Sequence, residues 1–192
     1  AVRDLFMTTV NMAMAADKAR APLLTGLQHL SGLRNLSLIK CTGLSDAGIS
    51  MLANLPTLED LDLAWCEKLS DDALIPLGRL RNLRHLSLYQ CRGMSVRGAR
   101  YLSMLTELRS LKLAGVEKLT DEGLGYLSGL YQLEELTLDG KHITLAGLTA
   151  LVDSLPHLNR LHVWNTMQAS QSEVEKIRRP GMYVWIRGEQ GN

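Results

Sequence analysis

Residues Leu58–Leu69 read LEDLDLAWCEKL, and residues Leu83–Met94 read LRHLSLYQCRGM. Both segments follow the pattern Leu-x-x-Leu-x-Leu-x-x-Cys-x-x-Leu, with Met in the last place of the second, and related segments recur every 25 residues. A repeat of this length indicates a solenoid, in which each unit buries its apolar side by stacking on its neighbours. The column that defines the period consists of Leu36, Leu61, Leu86, Leu111, Leu136 and Leu161.

Each repeat is predicted to contain a strand, a turn and a helix. Because side chains alternate along a strand, a Leu-x-Leu pair such as Leu61 and Leu63 faces the core while the residue between faces outward. A hydroxyl residue then recurs where a helix would start, and in three repeats an Asp follows it, near the positive end of the helix dipole. The predicted N-caps are Ser45, Ser70, Ser95, Thr120 and Thr144, and the acidic residues are Asp46, Asp71 and Asp121.

The fold class predicted from these elements is α/β. It is a right-handed solenoid with a short parallel sheet on the concave side and short helices on the convex side. Residues 31–165 are expected to hold five to six repeats of 25 residues, residues 1–30 a degenerate N-terminal repeat or cap, and residues 166–192 a C-terminal cap. Met12 and Met14 are predicted to form the first inward pair, and Val184 and Ile186 the last.

The cysteines Cys41, Cys66 and Cys91 occupy the same position in successive repeats, and Val116 occupies it in the next. A position that accepts either Cys or Val is predicted to be small, apolar and buried. Structural thiols are therefore favoured over a metal site or a redox pair.

The runs LDLAWCEKLSDDAL (61–74), LSLIKCTGLSDAGI (36–49) and LKLAGVEKLTDEGL (111–124) resemble the cysteine-containing class of leucine-rich repeats. That class is found in the substrate-binding half of F-box leucine-rich-repeat proteins. It also serves bacterial effectors, mitochondrial assembly factors and flagellar components, so the resemblance implies a repeat fold and leaves the function open. No segment resembling an F-box precedes the repeats, and we expect the repeat region alone.

Catalytic motifs are not apparent in the sequence. It contains no phosphate-binding glycine loop, no His-Glu-x-x-His and no Cys-x-x-Cys. His85 and His162 share the outward side of the sheet but lie three repeats apart, about 14 Å at ~4.8 Å per strand. We therefore expect no enzyme activity, no catalytic residue, no metal, no cofactor and no small-molecule substrate. The net charge of +1 and the lack of a long apolar run predict neither nucleic-acid nor membrane binding.

The outward residues of the strands are the candidate binding surface, because they vary between repeats while the inward columns do not. Large aromatic side chains beside charges are typical interface anchors. An alternative is that these aromatic residues only cover strand ends or cap the solenoid. The first candidate patch contains Asp60, Asp62, Trp65, His85, Tyr89 and Lys112. The second contains Trp164, Tyr183 and Trp185.

Charged residues are unevenly distributed between the repeats. Two cross-strand ion pairs are predicted, Glu59 with Arg84 and Arg109 with Glu134. The third repeat is rich in arginine, which keeps RNA binding open as a less favoured function. Its arginines are Arg79, Arg81, Arg84, Arg92, Arg97 and Arg100.

The sequence favours a non-catalytic protein–protein interaction module, a subunit or adaptor of an intracellular complex. The alternative is the substrate-receptor fragment of an F-box-type ubiquitin ligase. A cytoplasmic location is favoured, with mitochondrial or cytoskeletal and flagellar assembly also open. A sheet of seven or eight short strands offers about 400 Å² on its concave face, compared with roughly 800 Å² per partner in a standard interface. Loops or a solenoid end must therefore contribute to tight binding of a folded partner.

Overall fold

The computed structural model describes residues 9–11, 26–27, 29–166 and 171–187. The strands are β1 (Thr9–Asn11), β2 (Asn35–Ser37), β3 (Asp60–Asp62), β4 (His85–Ser87), β5 (Ser110–Lys112), β6 (Glu135–Asp139), β7 (Arg160–Trp164) and β8 (Tyr183–Arg187). Helices with defined bounds are α1 (Asp46–Ser50), α2 (Leu74–Leu77), α3 (Val96–Leu102), α4 (Asp121–Leu127), α5 (Leu145–Ser154) and α6 (Gln171–Val174). Turns of 3-10 helix lie at Met51–Asn54, Asp71–Ala73 and Glu175–Ile177.

All eight strands form one parallel sheet in which each strand pairs with the next along the chain. The register follows the sequence period, since Leu36 lies opposite Leu61 and Leu61 lies opposite Leu86. The helices pack side by side on the other face of the sheet. The chain is therefore an α/β leucine-rich-repeat solenoid, as predicted.

The core between sheet and helices consists almost entirely of leucine. Leu63, Leu88 and Leu138 have no exposed surface, and all the helix leucines except Leu145 are at most 2% exposed. Burying a leucine side chain stabilises the fold by roughly 1.5–3 kcal/mol. Because each repeat contributes the same residues at the same depth, the interior is a continuous stack.

The repeat cysteines are buried beside this core, and the predicted small apolar slot is confirmed. Cys66 Sγ lies 3.2 Å from the carbonyl oxygen of Leu38, and Cys91 Sγ lies 3.2 Å from that of Leu63. Each thiol therefore donates a weak hydrogen bond to the preceding repeat. Burial raises the pKa of both thiols from 9.0 to about 12, so they stay protonated at neutral pH.

The predicted N-cap residues do precede the helices or helical turns, but only Ser70, Ser95 and Thr144 accept a hydrogen bond from the first turn. The sequence predicts that Asp46, Asp71 and Asp121 complement the helix dipole. In the structure their main contact is with the next repeat. Asp46 accepts two hydrogen bonds from Ser70, the hydroxyl residue of the next repeat, at 2.9 Å from its backbone nitrogen and 2.6 Å from its Oγ. These carboxylates thus connect neighbouring repeats.

At the C-terminal end of the sheet the structure agrees with the prediction, and at the N-terminal end the predicted residues are not described. Val184 and Ile186 of β8 lie opposite Leu161 and Val163, as predicted. At the other end, Val10 of β1 lies opposite Leu36. The predicted pair, Met12 and Met14, assumed a shorter spacing and lies outside the described residues. The division into caps and repeats at residues 31 and 166 stays a prediction.

Candidate functional site

The outward side chains of the sheet form its concave face, and the strand register sorts them into columns. The first column contains Thr9, Asn35, Asp60, His85, Ser110, Glu135, Arg160 and Tyr183. The second contains Asn11, Ser37, Asp62, Ser87, Lys112, Thr137, His162 and Trp185. No residue type dominates either column, in contrast to the leucines beneath.

Four residues of the first candidate patch line one shallow depression of about 180 Å³ in the concave face. They are Asp60, Asp62, His85 and Lys112. Asp60 lies directly opposite His85 on the neighbouring strand. The structure adds Ser87, Ser110 and Glu135 to this depression. Sequence reasoning missed these three because it selected charged and aromatic residues, although the 25-residue period placed them in the same columns.

Trp65 and Tyr89, the aromatic residues of the first candidate patch, lie outside the lining of this depression. Their rings make an edge-to-face contact with centroids 5.8 Å apart, and both side chains are half-buried. The backbone nitrogen of Trp65 donates to the carbonyl oxygen of Tyr89 at 2.8 Å. Lys40, which sequence reasoning did not select, places its Nζ 6.0 Å from the centre of the Trp65 ring.

Trp65 has a backbone conformation that the sequence did not predict. The strand alternation suggested an outward strand position, but Trp65 lies in the left-handed region with φ of 63°. The equivalent residues of other repeats share this turn: Lys40, Gln90, Gly115 and Asn165. The left-handed turn follows β2, β3, β4, β5 and β7, and after the first three of these it leads to the buried Cys. For a bulky residue such as Trp this conformation is an outlier.

The second candidate patch is brought together at the last two strands. The Trp164 and Trp185 rings lie 5.0 Å apart, and His162 contacts both Tyr183 at 5.7 Å and Trp185 at 6.0 Å. The Arg187 guanidinium lies 5.6 Å from the centre of the Trp164 ring. Sequence reasoning did not assign His162 and Arg187 to this cluster, because no repeated leucine set the register of β8.

The predicted ion pairs lie where the strands begin, and both are confirmed. Arg84 lies 3.6 Å from Glu59, and Arg109 lies 3.0 Å from Glu134. Arg34 also pairs with Glu59. These side chains are substantially exposed, so each pair contributes about 0.2–1 kcal/mol.

The arginines of the third repeat do not lie on one element. Arg84 precedes β4 and is paired with Glu59, whereas Arg92 follows Cys91 in the turn. Arg97 and Arg100 lie on α3, and Arg97 is 2.8 Å from Asp72. The arginines are therefore divided between different parts of the repeat, and two of them are already matched by carboxylates.

The described part of the chain contains no group of three or more His, Cys, Asp or Glu side chains placed to hold a metal ion. None of its helices combines the length and the apolar character needed to cross a membrane. The concave face offers hydrogen-bonding groups, two aromatic clusters and unmatched charges. This chemistry suits recognition of another molecule.

Comparisons with protein-family models and with curated protein sequences find no match. Solved structures do resemble the chain. Internalin C2 from Listeria monocytogenes is 22% identical with a TM-score of 0.62, over 93% of this chain and 80% of the internalin chain. Yeast Rad7, crystallised in complex with Elc1, is 18% identical with a TM-score of 0.65, over 94% of this chain and 55% of that chain.

A third similar structure is TLR13 in complex with ssRNA13, 19% identical with a TM-score of 0.58. The alignment covers 85% of this chain and only 23% of TLR13. This chain therefore spans about half of the Rad7 chain and a quarter of TLR13. At these identities the likeness is one of fold, and it supports the leucine-rich-repeat architecture.

Proposed function

We propose that this leucine-rich-repeat solenoid is a non-catalytic protein-binding module, a subunit or adaptor of an intracellular multiprotein complex. Its concave face is the binding surface, with the patch around Trp65 as the principal contact and the patch around Trp164 as the second. It acts without a cofactor or a small-molecule substrate. We further propose that residues 1–30 and 166–192 are caps at the two ends of the solenoid.

The observation that carries this proposal is the aromatic pair of Trp65 and Tyr89, whose half-buried rings meet edge to face with centroids 5.8 Å apart. Trp65 lies in a left-handed turn that Lys40, Gln90, Gly115 and Asn165 share, so the turn belongs to the repeat and does not itself require an aromatic residue. A side chain with a Cβ in this conformation costs about 1–2 kcal/mol, and a large ring does not improve the turn. A role outside the fold is therefore the better reason for the ring, since large aromatic side chains are typical interface anchors.

The size of the concave face limits the kind of partner. Eight strands at ~4.8 Å make it about 34 Å long, and most strands are only three residues wide. An extended segment of a partner fits such a surface. A folded partner would also have to contact the loops that flank the strands, including the ion pairs of Glu59 and Glu134.

The intracellular location is proposed from the chemistry of the cysteines and of one glycosylation sequence. Cys66 and Cys91 are buried thiols that donate to backbone carbonyl oxygens and form no disulfide with each other. The sequon Asn35-Leu36-Ser37 lies in β2, and the Asn35 amide donates to Thr9 Oγ1 on the adjacent strand at 3.1 Å. An acceptor asparagine is expected in an exposed loop. We place the protein in the cytoplasm first, with mitochondrial or cytoskeletal and flagellar assembly as the other locations.

The alternative function is the receptor fragment of an F-box-type ubiquitin ligase, supported by the resemblance of the repeats. The Rad7–Elc1 complex is an example of this fold in a protein assembly. RNA binding is less favoured, although TLR13 was crystallised with RNA. In this chain the arginines of the third repeat lie on separate elements, and Arg84 and Arg97 are paired with carboxylates.

The test is affinity capture from cell extract with quantitative mass spectrometry. The variant Trp65→Asn keeps the left-handed turn while removing the ring, and Tyr89→Ala removes the other half of the pair. Each should lower the recovery of specific partners by about tenfold or more, as for an interface hot spot. Tyr131→Ala is the matched control, because Tyr131 is 60% exposed and lies before β6, off the concave face.

Capture that is equal for wild type and both concave-face variants would contradict the proposal, provided that urea unfolding shows the variants to be folded. Recovery of Skp1-like and cullin-like proteins would instead support the ligase alternative. Loss of the captured proteins after ribonuclease treatment would support RNA binding.

A further inference from the structure

We infer that the concave face around Trp65 and Asp62 receives a lysine or arginine side chain from an extended segment of the partner. This inference rests on the proposed function, because it states which chemical group of the partner the same surface recognises. Three features of the described residues support it: a cation of the chain itself, two unmatched carboxylates, and the opposite charge at the far end of the face.

The first feature is the position of Lys40. Its ammonium group lies 6.0 Å from the centre of the Trp65 ring, at the outer limit of a cation–π contact. Tyr89 stands edge-on to the same ring and extends the aromatic surface. The chain therefore already holds a cationic group against this surface. Lys40 is exposed, and we infer that a partner's cation competes with it for the ring.

The second feature is the pair of carboxylates on β3. Asp60 and Asp62 are both only half-buried and lie on the concave side, yet no ion pair is found for either within the described ranges. Asp62 Oδ1 accepts from the backbone nitrogen of Ala64 at 2.9 Å, which orients the carboxylate towards the end of the strand where Trp65 follows. Glu59, one residue before Asp60, pairs with arginines on both sides.

The third feature is the charge along the face. Arg160 and His162 lie on β7 and Arg187 lies on β8, about 19 Å and about 24 Å from β3 at ~4.8 Å per strand. Neither β7 nor β8 carries an Asp or a Glu, whereas β3 carries Asp60 and Asp62. A cationic group of the partner is thus favoured at β3 and β4 and disfavoured at β7 and β8. Complementary charge of this kind sets the orientation of a bound segment.

The test uses two small probes that differ in charge and match in shape: Nα-acetyl-arginine amide and its neutral analogue Nα-acetyl-citrulline amide. Binding is followed by NMR through the indole N–H of Trp65. The arginine probe should shift this signal in a saturable way with a Kd in the millimolar range, as expected for about 4 kcal/mol or less of binding free energy. The citrulline probe should bind at least about threefold more weakly, because it lacks the charge that the carboxylates and ring attract.

Two variants separate the contributions. Asp60→Asn with Asp62→Asn should weaken binding of the arginine probe about threefold or more, whereas the exposed control Asp72→Asn should leave it unchanged. Lys40→Met removes the internal cation and should tighten binding about twofold or more. Equal shifts with both probes, no shift with either, or wild-type affinity in the Asp60→Asn, Asp62→Asn variant would overturn the inference.

Failure of this inference can be told apart from failure of the proposed function. If Trp65→Asn abolishes partner capture while Asp60→Asn with Asp62→Asn leaves it intact, the concave face binds a partner that does not use a cation. If none of the concave-face variants alters capture, the binding surface lies elsewhere on the chain, whatever the probes show.

Discussion

The carboxylate of Asp71 accepts two hydrogen bonds from Ser95, at 2.7 Å from the backbone nitrogen and 2.6 Å from Oγ. Ser95 lies 24 residues further along the chain and precedes α3. Asp46 binds Ser70 in the same way, and Asp121 binds Thr144. Each contact satisfies a backbone donor at a helix start and connects two repeats in addition to their strand pairing and apolar packing.

Removal of this contact should destabilise the solenoid. Asp71→Ala leaves the Ser95 backbone nitrogen and hydroxyl without their acceptor and should lower the free energy of unfolding by about 1–3 kcal/mol. Urea unfolding followed by circular dichroism measures the change. Asp72→Ala is the control, since Asp72 makes only an exposed ion pair with Arg97 and its loss should cost about 1 kcal/mol or less. Equal losses in the two variants would contradict the role given to Asp71.

The same contact is missing between the third and fourth repeats, where Val96 takes the place of Asp. Thr120, its counterpart in the next repeat, makes no side-chain hydrogen bond to the first turn of α4. Val96→Asp should supply the acceptor and raise the free energy of unfolding by about 1 kcal/mol. In a double-mutant cycle, Thr120→Val should remove the part of that gain that comes from the hydroxyl, because the backbone nitrogen of residue 120 can still donate. A gain that Thr120→Val leaves unchanged would show that the hydroxyl does not take part in the contact.

Two glycines should respond in opposite ways to the same substitution. A Cβ on Gly147 would lie 2.1 Å from Asp121 Oδ1, so Gly147→Ala must displace the carboxylate that binds Thr144. It should destabilise the fold by about 1–3 kcal/mol. Gly125 lies within α4 with nothing within 4 Å of a Cβ, and Gly125→Ala should stabilise the fold by about 0.5–1 kcal/mol. The midpoint temperature of thermal unfolding should therefore be lower for Gly147→Ala and higher for Gly125→Ala than for the wild type.

Stability should fall at alkaline pH because of the buried thiols. Burial raises the pKa of Cys66 and Cys91 from 9.0 to about 12, so between these values the unfolded chain loses protons that the folded chain keeps. The contribution of the two protonated thiols to the free energy of unfolding is fully present below pH 9 and is lost as the pH rises towards 12. Each thiol accounts for roughly 1.4 kcal/mol per pH unit in that range.

The control for this pH dependence is the double variant Cys66→Val with Cys91→Val. Valine is suited to the slot, as Val116 occupies the equivalent place and is 2% exposed. A plot of unfolding free energy against pH from 8 to 11 should be distinctly flatter for the variant. Identical slopes would show that other groups cause the alkaline loss.

The repeating leucines were sufficient to predict the strand register and much of the candidate site. Because Leu61 and Leu86 must both reach the core, the residues beside them are aligned as well, and the 25-residue period accounts for Asp60 lying opposite His85. The depression that Asp60, Asp62, His85 and Lys112 share follows from the same alignment. At the N-terminal end the repeat is degenerate: Val10 lies opposite Leu36, and the predicted inward pair Met12 and Met14 lies outside the described residues.

Apart from the ion pairs of Glu59 with Arg84 and of Arg109 with Glu134, side-chain contacts between repeats could not be predicted in this way. The turn at Trp65 ends the strand alternation, and no local pattern marks where the backbone becomes left-handed. Arg187 lies opposite Trp164 because Val184 packs opposite Leu161, across a segment with no repeated leucine to count from. The Asp71–Ser95 contact forms only because stacking brings the Asp71 carboxylate of one repeat within 3 Å of Ser95 in the next.

By itself, then, the sequence determined that this protein is a stack of strand–turn–helix units with a leucine interior and a varied outer face. Burial of an apolar stripe depends on spacing along the chain, and spacing is present in the sequence. Beyond the cross-strand ion pairs, only the tertiary structure decided which polar and aromatic groups meet: Asp71 with Ser95, Lys40 with Trp65, and Arg187 with Trp164. Those contacts act over a few ångströms between residues 23 to 25 positions apart, and their geometry exists only once the repeats have stacked.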